Sequence, residues 1–352
     1  MATLRDLLPS VYRSLLPAFF ETPPPPEEKA TCDHCAMCPP PGTPDQLLSA
    51  FFRPDTKCCT YHPRLPNYLV GGLLSDDSPE MAEGRRRVEA IIATRMGVTP
   101  CWVAPPRKTR VVYNAARRHG FGRSLLLRCP YYGEEGGLCT IWRWRETDCS
   151  TFFCKYSAAA DGQAFWRGLN GYMHEVQERL TADAVAALAP QLQQPDMESG
   201  HLTLEDLEDR PPADYAVYWQ DWLGREADFY RACYRHVAAL GPQRYAELTS
   251  GEARERLGFV QEARARIDAP AVPERLVLNK EITAEPRGPG VLLSTYCDYD
   301  PLMVSPALHD LLQRFDGPPV SEVRTRFKND TGADIPDELL LLLHRMRVLV
   351  EA

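Results

Sequence analysis

The stretch "RCPYYGEEGGLCTIWRWRETDCSTFFCKY", residues 128–156, carries four cysteines around a glycine-rich turn and a run of aromatic residues. Cys129 ends an apolar segment read as a strand, Cys139 follows the turn, and Cys149 and Cys154 come later in the same stretch. Gly133, Gly136 and Gly137 free the backbone to fold back, so that Cys129 and Cys139 can approach one another. Upstream, "TCDHCAMCPPPG" (31–42) spaces Cys32, Cys35 and Cys38 evenly, and "KCCTYH" (57–62) adds Cys58 and Cys59. A C-x2-C pair lets one tight turn present two sulfurs to the same ion. The three thiols of the first knuckle cannot readily point away from one another, so a shared metal or iron–sulfur cluster is the economical expectation.

Nine of the twelve cysteines lie in these groups, while Cys101, Cys233 and Cys297 stand alone. In a reducing compartment such clustering points to metal ligation or redox chemistry before disulfides, and an odd number cannot pair off completely. Trp142, Trp144, Phe152, Phe153 and Tyr156 are placed to shield such a site from water. Nine thiols exceed the roughly four that one zinc or one cubane cluster needs. Two sites, or one site with spare thiols, both stay open, as does the choice between zinc and iron. His34 and His62 sit inside the motifs as substitute ligands.

Taken together, Cys129, Pro130, Cys139, Ile141, Arg145, Cys149, Phe152 or Phe153 and Cys154, with Cys32, Cys35, Cys38, Cys58 and Cys59 before them, form a pattern that resembles the YkgJ-type cysteine-cluster family. The likeness covers about a third of the chain and implies a zinc- or iron-chelating domain, without supplying a reaction. Two positions depart from the family pattern. Pro39 follows Cys38 where the family has its cysteine doublet, which here comes only at Cys58 and Cys59, and Glu146 follows Arg145 where a proline is usual.

Outside the cysteine groups, an amphipathic helix is expected over roughly 3–20, followed by a stiff extended linker at "TPPPPEE". "SPEMAEGRRRVEAIIATRMG" predicts a helix with Ser78 as N-cap, Pro79 at its first position and Gly97 near its end. "RVVYNAARR" and, more strongly, "RSLLLRCPYY" read as strands. From about 161 to 268 the pattern is helical, with Trp219, Trp222, Phe229, Tyr230 and Cys233 at helical spacing as a core stripe. Cys233 and His236, three apart there, are read as packing before ligation.

The last fifty or so residues form a unit of three short helices with strand-like ends. The first starts at Ser305 and Pro306 and stops at Gly317, the second is "PVSEVRTRFKNDTG", and the third is "PDELLLLLHRMRVLV". This segment resembles the small winged-helix modules of the PqqD type, which bind peptides, and DNA-binding winged helices more generally. Glu322, Arg324, Arg326, Lys328 and Asp330 balance one another on its second helix, which favours a peptide or protein partner over nucleic acid.

A formal net charge of −8 excludes nucleic-acid binding through a general positive field. The basic runs at Arg85–Arg87 and Arg117–Arg123 are read as solvated faces. No apolar run approaches a membrane span, and the start of the chain lacks the apolar core of a secretory signal, so a cytoplasmic protein is expected. No P-loop, G-x-G-x-x-G after a strand, H-E-x-x-H or G-x-S-x-G is present. Glu134, Glu135, Glu146 and Asp148 are the acid–base candidates nearest the thiols.

The sequence therefore predicts an α+β protein. Residues 1–29 form a helix and linker, 30–157 a cysteine-cluster metal-binding domain, 158–270 a helical region, and 271–352 a linker and winged-helix-like module. The expected function is binding of zinc or iron, mononuclear or as an Fe–S cluster, by Cys32, Cys35, Cys38, Cys58, Cys59, Cys129, Cys139, Cys149 and Cys154. The alternatives are an iron–sulfur-dependent protein- or peptide-modifying enzyme and a redox- or metal-responsive regulator.

Overall fold

The computed structural model describes residues 2–192 and 200–352. It is α+β: many helices and three small antiparallel sheets. The chain divides into two compact units, whose boundaries differ from the four segments drawn from sequence. One comprises residues 1–24, 32–152 and 170–256, the other 25–31, 153–169 and 257–352.

The chain begins with three short 3-10 turns, Leu4–Leu7, Ser10–Tyr12 and Ala18–Glu21, in place of the expected single helix. Pro9 and Pro17 stand at the starts of the second and third turns, where a missing N–H and a fixed φ prevent continuation from the turn before. The apolar face is nonetheless used, because Leu4, Val11, Tyr12, Leu15, Leu16 and Phe20 are all buried.

In the first unit, β1 (Leu65–Pro66) leads into α1 (Asn67–Leu74), every residue of which is buried. Then come α2 (Ala82–Thr94), β2 (Trp102–Val103), which pairs with β1, α3 (Arg107–Gly120) and the short α4 (Thr147–Thr151). The expected helix at 78–97 is present, entered through a 3-10 turn at Pro79–Met81 with Ser78 before it. Arg95 and Gly97 leave it with left-handed φ.

Both sequence-predicted strands in this region are corrected. "RVVYNAARR" lies within α3, whose valines suggested a strand but whose alanines and arginines favour helix, and no α3 residue is fully buried. "RSLLLRCPYY" forms a 3-10 turn at Leu125–Leu127 that leaves Leu126 82% exposed. Its apolar residues therefore do not line a sheet.

The long helix α5 (Ala159–Leu188) begins in the second unit and continues in the first. The first unit also holds α6 (Leu204–Leu207), α7 (Tyr215–Trp219), α8 (Glu226–Ala238) and α9 (Pro242–Leu248), and α10 (Glu252–Asp268) runs on into the second. The predicted stripe is the core here, with Trp219, Phe229, Tyr230 and Cys233 fully buried, while Trp222 is half-buried. Tyr230 packs edge-on to Trp219 at 5.6 Å and donates its hydroxyl to the carbonyl of Thr99 at 2.7 Å. Beside them, the hydroxyls of Tyr12 and Tyr68 meet at 2.7 Å.

In the second unit, the end of the proline-rich stretch is fastened by Glu27, whose carboxylate accepts from Ser157 N (2.8 Å) and Trp166 Nε1 (2.7 Å). The segment read as a linker instead supplies strands: β3 (Arg275–Leu278), then the meander β4 (Ala284–Arg287), β5 (Gly290–Leu293) and β6 (Leu302–Val304). Next are α11 (Pro306–Leu312), β7 (Asp316–Pro319), α12 (Val320–Thr331), α13 (Asp337–Arg345) and β8 (Leu349–Glu351).

Ser305 caps α11 as read, accepting from Leu308 N, but the helix ends at Leu312. Gly317, expected to stop it, lies inside β7 instead. β3 is the central strand of β7-β3-β8, antiparallel to both neighbours. Leu276, Leu293, Leu312, Phe315, Leu340 and Val348 join both sheets and the helices in one core.

Candidate functional site: the thiols of the first unit

Four backbone segments converge here. The glycine turn folds as expected: Gly133 N donates to Leu138 O at 2.8 Å, Thr140 N to Tyr131 O at 2.9 Å, and Gly136 and Gly137 take φ of +78° and +62°. Cys129 N donates to Cys59 O at 2.8 Å, tying the hairpin to the doublet. Lys57 spans the rest, donating through Nζ to Cys32 O (2.6 Å) and to Gly137 O (2.9 Å).

The thiols interact electrostatically across these segments. The neighbouring thiols of the doublet interact, which holds the Cys58 thiol well up and the Cys59 thiol down. Burial raises Cys32, pushes Cys139 up to about 11, and raises Cys129 and Cys149 well above the ordinary thiol value. Cys129 and Cys139 also feel Cys59, Cys149 feels Cys129 and Cys139, and Cys58 feels Cys32 and Cys35. Against this, Arg145 brings a positive charge toward Cys32, Cys59 and Cys139, and its Nη1 holds Cys149 O at 3.1 Å. Its guanidinium stacks 3.4 Å over Trp142.

One sulfur accepts a backbone N–H from two residues further on, Tyr131 N to Cys129 Sγ at 3.4 Å, and the Ile141 N–H works against burial at Cys139. Such bonds stabilise a thiolate. Cys149 is presented by α4, whose N-cap is Glu146. The Glu146 carboxylate accepts from Asp148 N at 2.8 Å and from Cys149 N at 3.0 Å. Capping α4 is thus the role of Glu146.

Cys38 N donates to Cys35 O at 3.0 Å, so the first knuckle is a turn. Cys154 belongs to the second unit, where its carbonyl accepts from Cys297 Sγ at 3.4 Å. All twelve cysteines are free thiols, and Cys101 lies near enough to Cys233 for burial and mutual charge to raise Cys233. His236, read as its packing neighbour, pairs with Asp183 at 2.8 Å. Of the expected shielding aromatics, Trp144 packs on Gly72 of α1, while Trp142 and Phe152 stay 46% and 44% exposed.

Among the described residues, one set of three metal-capable groups has its ligand atoms within 4.8 Å of one another: Glu146, Asp148 and His174. Spacing within cysteine motifs gave no sign of it, because His174 comes from α5. Hydrogen bonds account for the set. Asp148 accepts from Tyr61 (2.7 Å) and Asn170 (2.9 Å) and meets His174 Nε2 at 3.0 Å. Burial alone would raise Asp148, but these bonds and the His174 charge outweigh it and hold the carboxyl near about 2. Burial, with the Asp148 charge, raises Glu146 to about 7. Glu134 is exposed and paired with Arg128 at 2.7 Å, and Glu135 is exposed.

His34 is exposed beside Asp33, whereas His62 Nε2 is buried and without a hydrogen-bond partner among the described residues. Burial lowers His62 to about 4. Unfolded, this imidazole takes a proton near its ordinary value of about 6.5, so the native state binds fewer protons between those values. Its contribution to stability is therefore complete above pH about 6.5 and is lost as pH falls toward about 4. Urea unfolding of wild type and His62→Gln at pH 7 and pH 5 checks this. The wild type is expected to lose roughly 1–3 kcal/mol more than the variant on acidification. Equal losses would refute it.

Comparisons with protein-family models, curated proteins and solved structures returned no match.

Proposed function

We propose that the first unit is a metal-binding centre holding zinc or iron, mononuclear or as an iron–sulfur cluster, through its clustered cysteines. The observation that carries this reading is the N–H···S bond at Cys129, set among thiols whose charges reach one another and face Arg145. The donor set fits soft or borderline metals. Cys32, Cys35, Cys58, Cys59, Cys129, Cys139 and Cys149 are the ligands best supported, with Cys38 and Cys154 completing the set expected from sequence. Bound there, the metal would supply the positive charge that lets buried thiols ionise.

Anaerobic purification followed by elemental analysis, acid-labile sulfide and a visible spectrum tests the proposal. Iron with sulfide and a broad brown absorption would point to a cluster, and with it to the modifying-enzyme or redox-regulator alternatives. Zinc in a colourless sample would mean a structural chelate. A chain with neither metal would overturn the reading.

For the end of the chain we propose a winged-helix-like module that docks a peptide or protein. Support comes from the succession β7, α12, α13, β8 and from the neutralised charge of α12. Arg324 pairs with Asp337, Arg326 with Glu322, and Lys328 with Asp334, which leaves a weak field for phosphates.

A further inference from the structure

The first unit contains a cleft of about 440 Å³ that uses none of the proposed thiol ligands, and its walls mix apolar groups with several charged and polar side chains. Helix α3 lines it with Arg110, Tyr113, Asn114 and Arg117, the i, i+3, i+4, i+7 stripe that on a buried helix would be hydrophobic. A helix that spends this stripe on two guanidiniums, a phenol and an amide faces something polar. Trp102 and Arg64 also line it, the guanidinium 4.1 Å over the indole, and the ring of Tyr61 meets Tyr113 edge-on at 5.8 Å.

Arginines outnumber carboxylates in the cleft lining. The lining includes Arg64, which pairs with Glu178, together with Arg110 and Arg117, and the one carboxylate in it, Glu146, is already engaged by two backbone N–H groups. No ion pair to Arg117 is formed among the described residues. The N-terminus of α3, with Pro105 and Thr109 in the wall, adds its partial positive charge. Arg107 and Lys108 of that same turn are answered by Asp206 and Asp209 at 3.2 and 2.8 Å, outside the cleft lining. Finally, His62 belongs to the wall, and its buried Nε2 has no hydrogen-bond partner from the described protein. An unpaired buried polar atom costs free energy that a bound polar group would recover.

We infer that this cleft binds a small anion with a planar ring, its carboxylate or phosphate held by Arg110 and Arg117 and its ring between Trp102 and the tyrosines. The volume suits a ligand of modest size, since pockets for small molecules run from about 300 to 1,000 Å³. The inference goes beyond metal binding and stands or falls without it.

Calorimetric titration of the full chain, purified anaerobically, with phenyl phosphate and separately with benzoate tests it. Benzyl alcohol serves as the neutral analogue. Saturable binding of at least one anion is expected, at least about tenfold tighter than benzyl alcohol and weakened about tenfold by Arg117→Ala. Which of the two anions binds more tightly assigns phosphate or carboxylate. Arg117 is exposed on a helix with no buried residue, so the variant should keep the wild-type melting curve, and Arg117→Lys should restore part of the affinity. Absence of saturable binding by both anions, or benzyl alcohol binding as tightly as they do, would overturn the inference, as would unchanged affinity in Arg117→Ala.

Discussion

Gly71→Ala is expected to destabilise the first unit by about 3 kcal/mol or more, an effect large for the addition of one methyl group. At Gly71, α1 and α8 touch backbone to backbone. A Cβ built there would lie 1.8 Å from the carbonyl oxygen of Tyr230 and 2.8 Å from the Cβ of Tyr234. A rotamer change cannot relieve a clash with a carbonyl, so the helices would have to separate. Tyr230 resists that, being fully buried, packed on Trp219 and bonded to Thr99.

The contrasting substitution is Gly258→Ala in α10, where nothing lies within 4 Å of the added carbon. Helix propensity alone then predicts a gain of up to about 1 kcal/mol. Thermal melts of the two variants should shift in opposite directions, Gly71→Ala downward by roughly 6–12 °C. A Gly71→Ala melt indistinguishable from wild type would show that the two helices do not approach this closely.

The second large effect is expected at Cys129. With the proposed metal centre, serine there should abolish metal binding and lower the melting temperature of the first unit by roughly 10 °C or more, because binding of a structural metal is itself folding free energy, on the order of 10–16 kcal/mol for zinc-finger peptides. Cys129 is tied to the group in several ways. It accepts Tyr131 N, its own N–H holds Cys59 O, and it shares charge with Cys139, Cys59 and Cys149. Cys101→Ser is the control, since burial and the Glu178 charge push that thiol up to about 12 and it belongs to none of the motifs. Elemental analysis of both variants separates the cases. Wild-type metal content in Cys129→Ser would remove Cys129 from the ligand set, and loss from Cys101→Ser as well would mean that the assay reports unfolding.

Much of the helical architecture was legible because its signals are local. The apolar spacing of Trp219, Phe229, Tyr230 and Cys233 and the cap at Ser305 each depend on residues within a turn or two. The strands were not legible. β4 reads "AEPR" and β7 reads "DGPP", with glycine and proline where strand propensity is lowest. They exist because partner strands take up their hydrogen bonds: β4 pairs with the adjacent β5, whereas β7 and β8 pair with β3, which lies far back along the sequence. At the N-terminus the periodicity was right and the element wrong, since Pro9 and Pro17 broke a face that burial still uses.

By itself, the sequence determined which donor atoms this protein has and how closely the chain spaces them, because three cysteines in one turn stay together whatever surrounds them. The tertiary structure alone decided which groups act on those sulfurs: Arg145 supplies the charge, Glu146 caps the helix that carries Cys149, and Lys57 braces the first knuckle against the glycine turn. It also set Cys154 beside Cys297 in the second unit and brought His174 to Asp148. The reason is physical. Spacing along a chain is covalent and can be read directly, whereas the ionisation of a buried thiol or carboxyl depends on desolvation and on charges that only folding brings near.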